Sequence, residues 1–170
     1  MKVRRFKAFL IDYALISVYL LLLLLGNYVF NPSVFESGIS DSQIDTQLIA
    51  TFSSVLPIVL VFSWLEAFYG GTVGKQIMAI QVRFSSYRFR RSLLRNVLKF
   101  LPWQMGHVAT IYAFYEGTDS RFIFLTVVNG VLLMVYLVGY IWVPPYIPDV
   151  LSGATFIYKN NNSLKNVSES

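Results

Sequence analysis

A chain of 170 residues in which 55% of side chains are hydrophobic and only 14% are charged stands well below the roughly 25% charge content of soluble domains, and its mean hydropathy is +0.56. That length holds one compact unit of several helices, without room for a second soluble domain of ordinary size. A cysteine count of zero excludes structural disulfides, thiolate metal sites and a cysteine nucleophile, and a single histidine, His107, argues against a histidine-built metal site or triad. No enzymatic activity, cofactor or metal is expected.

The chain opens with Lys2, Arg4, Arg5 and Lys7 ahead of an apolar run from Ala8 to Phe30. A secretory signal peptide opens in the same way, but this run exceeds signal length and reaches Gly26-Asn27-Tyr28 without a small-residue cleavage pattern, so a retained spanning helix is expected. Asp12 lies inside it. An acidic residue at the centre of a spanning helix costs about 2.5 to 3.5 kcal/mol, so Asp12 is expected to have a partner or a task. Asn31-Pro32-Ser33 then begins a polar connection holding Glu36, Asp41 and Asp45.

Gln47 to Tyr69 forms a second apolar helix, with Pro57 marking a kink and Glu66 near its far end. Gly70-Gly71-Thr72-Val73-Gly74-Lys75 is turn-like, and Ile77, Ile80, Val82 and Phe84 supply the β-branched and aromatic residues of a short strand. Arg88, Arg90, Arg91, Arg95 and Lys99, interleaved with Leu93, Leu94, Val97, Leu98 and Phe100, start an amphipathic third helix suited to the membrane surface. Its apolar part is short and broken by Gln104, Gly106 and His107, which makes it the weakest of the predicted crossings. Helix four, Phe122 to Val143, stops at Pro144-Pro145 among the interfacial aromatics Tyr140, Trp142 and Tyr146. Leu151 to Tyr158 is strand-like, and the polar segment 159–170 is expected to be a disordered tail following a transmembrane domain over 1–158.

Charge sets the expected topology. Four crossings place the N-terminus, the Lys75 to Lys99 segment and the tail on one side with every basic residue except Arg121, so both ends are expected in the cytoplasm of a cell-membrane protein. Glu36, Asp41, Asp45, Glu116 and Asp119 fall outside, and Gln76 to Phe84 is positioned to pair with Thr155 to Tyr158. The predicted fold is all-α, with four transmembrane helices and a small cytoplasmic two-stranded β element.

Several short segments together carry a family likeness. Arg5-Phe6-Lys7-Ala8-Phe9-Leu10-Ile11-Asp12, Gly71-Thr72-Val73-Gly74-Lys75 with Ile80-Gln81-Val82, Leu94-Arg95-Asn96, and Asp149 through Gly153 occur in that order over nearly the whole chain. In this the chain resembles the RDD family of membrane proteins, named for an arginine and two aspartates, which match Arg5, Asp12 and Asp149. Two positions depart: Pro148 stands where the family often has histidine, and Ala154 where threonine is expected, so no role of that histidine transfers. The resemblance implies a multi-pass membrane protein, and suggests transport, with sodium/proton antiport proposed for some members.

Arg5 and Asp12 are seven residues apart, roughly 10 Å along a helix axis, which disfavours their direct pairing. Asp12 is expected to meet a cation from another segment, with Arg95, Lys99 or Lys75 as candidates, while Arg5 is expected to reach Asp149 or a lipid phosphate. One reading makes Arg5, Asp12, Arg95 and Asp149 an ionic latch that holds helices and strands together. The other makes Asp12, with Glu66 as a second site, a carboxylate that exchanges a proton for a small cation such as Na+, the minimum equipment of an antiporter. Glu66 has its own plain reading as an interfacial carboxylate facing water, and His107 as a packing residue. One four-helix chain is small for alternating access, so a transporter implies a homo-oligomer. The alternative function is a non-catalytic accessory or regulatory subunit of a larger membrane protein complex.

Three further patterns are set aside. Gly70 to Lys75 has the wrong glycine spacing for a phosphate loop, and Gln76 replaces its hydroxyl residue. Asn161-Asn162-Ser163 and Asn166-Val167-Ser168 match a glycosylation pattern that a cytoplasmic tail never presents to that machinery. The basic segment Arg83 to Lys99, which supplies much of the net charge of +5, lacks a nucleic-acid motif and is expected to meet the anionic headgroups of the bilayer.

Overall fold

The computed structural model of the chain describes residues 2–30, 42–141 and 146–158. Helix α1 (Lys2–Phe30) starts earlier than its apolar run, because Arg4, Arg5 and Lys7 favour helix and extend it beyond the greasy stretch. Its 29 residues span about 43 Å, more than the ~30 Å hydrocarbon core.

The second helix likewise begins at Gln43 instead of Gln47, since the Ser42 hydroxyl accepts the Asp45 N–H at 3.4 Å and caps it. This helix, α2 (Gln43–Ala50), passes through a π turn over Thr51–Val55 into α3 (Leu56–Phe68). Here the kink expected of Pro57 becomes a widened turn just ahead of it. Pro57 has no N–H, so the Ser53 carbonyl loses its helical donor four residues on; the Tyr19 hydroxyl of α1 donates to it at 2.5 Å.

Gly70 takes a positive φ of 74°, a turn only glycine adopts readily. The expected loop then coils into the short helix α4 (Val73–Ile77) before strand β1 (Ile80–Phe84). Helix α5 (Arg88–Glu116) runs 29 residues without a break through Pro102. Asp119 caps α6 (Ser120–Ile141), its Oδ1 accepting the Arg121 and Phe122 N–H groups at 3.0 Å each. Helix α7 (Ile147–Ser152) ends at Gly153, φ 63°, and leads into β2 (Ala154–Tyr158).

The two strands pair antiparallel, Ile80 opposite Tyr158 and Phe84 opposite Ala154. The pairing expected from β-branched composition forms, with narrower bounds: Gln76 belongs to α4, and Leu151 and Ser152 to α7. The connection with Glu36 and Asp41, the stop at Trp142 and Pro144-Pro145, and the 159–170 tail lie outside the described residues.

Among the described residues three helices are long and apolar enough to cross a membrane: Val3–Phe30, Gln43–Ile77 and Ser120–Gly139. Helix α5 matches α1 in length but not in apolarity, and so falls outside that set. A small apolar core of Ile16, Ile58 and Phe62, with Tyr19, Leu20, Phe100 and Trp103 against it, joins α1, α3 and α5. Outward, Leu21, Leu22 and Leu25 of α1 and Ile123, Val127 and Val131 of α6 stay exposed, as suits lipid-facing surfaces.

Polar contacts join the second helix to α5 along its length. The hydroxyls of Thr46 and Tyr115 lie 2.6 Å apart, Gln104 Nε2 donates to Thr51 Oγ1 at 2.9 Å, and Arg95 Nη1 donates to Glu66 Oε1 at 2.6 Å. As residue numbers rise on one helix they fall on the other, so the two run antiparallel from Thr46 to Glu66.

Candidate functional site

The site is a buried cluster of charges where α1, α3, α4, α5, α7 and β2 converge. Its centre is Glu66, 1% exposed, with three cations around it. Lys75 Nζ and Arg95 Nη1 bond to Oε1, the latter at 2.6 Å, and Lys99 Nζ stands 3.8 Å away. Asn96 Nδ2 donates to Oε2 at 3.1 Å and Ser92 Oγ lies 3.5 Å from it. Glu66, expected near water, is therefore among the most enclosed side chains, because Ser63 and Ser92 are small enough to let α3 and α5 approach around it.

Arg95 bridges two carboxylates. Besides Glu66, it donates from Nε at 2.7 Å, and stands with Nη2 at 2.6 Å, to Asp149 Oδ1. This ties α7 to α3 through α5. A charge-assisted bond to each carboxylate is the strongest kind of polar contact a protein makes, and a buried ion left without its partner is the costliest.

Asp12 takes a different place. Its carboxylate is buried at 7% exposure and accepts from Thr72 Oγ1 at 2.5 Å and from the Gly74 N–H at 2.8 Å. The ion pairs among the described residues join Glu66 and Asp149 to Lys75, Arg95 and Lys99, so the expected pairing of Asp12 with Arg95, Lys99 or Lys75 gives way to neutral donors at the start of α4. The glycine explains why. A Cβ at Gly74 would collide with the Ala8 carbonyl oxygen and sit 2.9 Å from Asp12 Oδ1; without it, the α4 backbone docks directly on α1. The Gly71 to Lys75 motif is thus a docking turn whose lysine points to Glu66.

Arg5, expected at Asp149 or a lipid phosphate, stacks over the Phe156 ring at 4.0 Å, with Arg95 5.5 Å from the same ring. Asp149 goes to Arg95. Phe156, on β2, therefore anchors the strand pair to the charged cluster.

Sequence reasoning singled out Arg5, Asp12, Glu66, Lys75, Arg95, Lys99 and Asp149, and the structure brings all seven to one end of the bundle. It quoted Thr72 and Asn96 only as parts of motifs, with no role, and passed over Ser92 and Phe156. For Ser92 a signal was present: it stands three and four residues before Arg95 and Asn96, on one helix face with them, as Ser63 does with Glu66.

Beside the cluster opens a cavity of about 840 Å³. Arg5, Asp12, Lys75, Arg95, Lys99 and Asp149 line it at the charged end, and apolar and aromatic side chains of α1, α5 and α6 form most of the rest. His107 and Asn129 also line it. Trp103 Nε1 donates to His107 Nε2 at 2.6 Å, consistent with a packing role for that ring.

These features define a polytopic helical membrane protein pinned by a buried ionic cluster at one end. The sequence model of the RDD family matches residues 2–146, and the chain belongs to the RDD family. Neither the curated proteins nor the solved structures give a significant match to it.

Proposed function

We propose that the chain is a four-crossing protein of the cell membrane, both termini and the strand pair cytoplasmic, which acts as a non-catalytic accessory or regulatory subunit of a larger membrane complex. One observation carries the functional reading: Asp12, Glu66 and Asp149 each already hold donors of the chain itself. Lys75, Arg95 and Lys99 pair with Glu66 or Asp149, and with Arg5 they make four formal cations beside three carboxylates at the charged end. A small cation entering there meets a net positive surrounding, which opposes its binding.

The antiparallel contacts from Thr46–Tyr115 to Glu66–Arg95 support the fourth crossing. A helix joined along its length to a spanning helix shares its depth, and the polar residues that spoil the apolarity of α5 are those facing its neighbour. Since the chain has no cysteine, single Ser85→Cys and Gly117→Cys variants test this. An impermeant maleimide is expected to label only Gly117→Cys from outside; labelling of both from one side contradicts the crossing.

The second reading, small-cation/proton antiport through Asp12, is favoured by one observation: Asp12, His107 and Asn129 line the same cavity. It implies a homo-oligomer. Purified protein in vesicles with a pH-sensitive dye separates the two. The accessory reading predicts no cation-driven proton movement with Na+ or K+, whereas flux abolished by Asp12→Asn overturns it in favour of antiport.

A further inference from the structure

The cavity beside the latch has the shape and polarity of a site for an amphiphile. It runs along α5 from Lys99 to Ile111, twelve residues or about 18 Å, and its volume of about 840 Å³ lies within the roughly 300–1,000 Å³ of small-molecule sites. One end is charged. The rest is walled mostly by side chains such as Phe9, Ile16, Trp103, Leu133 and Tyr136, with His107, Thr110 and Asn129 among them, and these apolar and aromatic groups offer an acyl chain dispersion contacts.

At the charged end the formal cations Arg5, Lys75, Arg95 and Lys99 outnumber the carboxylates Asp12, Glu66 and Asp149 by one, so the cavity meets a surplus of positive charge there. Of the three cations around Glu66, Lys99 is the one best placed to receive an anion, its Nζ otherwise donating to Asn96 Oδ1 at 3.3 Å. Its side chain is 22% exposed, against 12% for Lys75 and 3% for Arg95, and its ammonium is 3.8 Å from Glu66. Farther along, the Oδ1 of Asn129 is buried without a hydrogen-bond partner among the described residues.

We propose that the cavity between α1, α5 and α6 binds one phospholipid with a net-negative headgroup, its phosphate at Lys99 and an acyl chain along the slot toward Ile111. The orientation agrees with the bilayer: the charged end lies beside the basic, strand-bearing end of the bundle, where headgroups of that leaflet lie, and the slot points toward the midplane. This rests on the membrane placement of the bundle and not on the accessory role, so the flux result leaves it untouched.

Trp103 lines the slot and reports occupancy. Full-length protein carrying Trp64→Phe and Trp142→Phe, reconstituted in phosphatidylcholine vesicles, is titrated with phosphatidylglycerol brominated on its acyl chains, and separately with brominated phosphatidylcholine. Trp103 is expected to be half-quenched at a several-fold lower mole fraction of the anionic lipid. Lys99→Gln is expected to remove that preference. Because Lys99 also borders the ionic cluster, Leu133→Phe provides a second variant, which narrows the slot at a half-exposed position and is expected to weaken quenching by both lipids several-fold. Equal quenching by the two lipids, or a preference unchanged in both variants, overturns the proposal. Relief of quenching by inorganic phosphate shows a bare anion site and overturns it as well. Protection of Trp103 from both lipids in a cross-linked dimer gives the cavity to a second copy and does the same.

Discussion

Helix α3 belongs to the span Gln43–Ile77 and α6 to the span Ser120–Gly139, both apolar enough to cross a membrane, yet they are used in opposite ways. On α3 the residues Ile58, Val59, Phe62, Ser63, Glu66 and Ala67 are buried, and every polar atom of Glu66 is spoken for. No residue in the apolar span of α6 is buried, and Ile123, Val127, Val131, Val135 and Val138 point outward. Apolar area alone does not order helices inside a lipid solvent, since lipid tails solvate Leu as well as another Leu does; close packing of small residues and polar bonds do that. Helix α3 has both, through Ser63 and Glu66, while α6 is attached chiefly through its contact with α5. The difference assigns rigidity to the α3–α5 pair and adaptability to α6, which forms one side of the large cavity.

This contrast is most easily broken at Arg95. Arg95→Leu leaves Glu66 and Asp149 buried with less compensation and is expected to cost about 3–5 kcal/mol, seen as a large drop in the thermal unfolding midpoint in detergent. Gly74→Ala forces α4 off the Ala8 carbonyl and is expected to cost about 1–3 kcal/mol by the same measurement. Asp12→Asn keeps an acceptor for the Gly74 N–H but loses the charge that strengthens it, for a loss of about 1 kcal/mol.

Smaller effects belong to α6. The Asp119 carboxyl is held below the ordinary range, first by the Phe122 backbone N–H. A depressed folded value means its stabilisation is present above the unfolded value and lost as pH falls through the folded one, so amide exchange in the first turn of α6 is expected to quicken below about pH 4. Asp119→Asn is expected to abolish that pH dependence. Least of all, Val127→Ala and Val131→Ala on the outward face are expected to change stability by no more than about 0.5 kcal/mol. A loss there comparable to that of Gly74→Ala would mean α6 is packed against protein.

Much of the helical scaffold was legible in the sequence, because long apolar runs and capping residues act locally. Helices α1, α3 and α6 follow from Ala8–Phe30, Gln47–Tyr69 and Phe122 onward, and the strand pair from Ile80, Val82 and Phe84. Their boundaries shifted where polar residues propagate a helix, as at Arg4 and Arg5, or where Ser42 caps one. The members of the charged cluster were legible too, as ionisable residues in apolar surroundings. Their pairing was not, since it depends on how close two backbones come. Gly74 lets α4 reach Asp12 with an N–H, which frees Lys75 and Arg95 for Glu66, and Ser63 and Ser92 make room for that carboxylate between helices. Such choices are set by tertiary distance, on which the order of residues is silent.

A double-mutant cycle of Arg95→Met and Asp149→Leu, read as unfolding free energy in detergent, interrogates the bridge between α5 and α7. Partners in direct contact predict a coupling between about 0.5 and 3 kcal/mol, with the double variant losing less than the two single losses combined. Losses that simply add would contradict the latch.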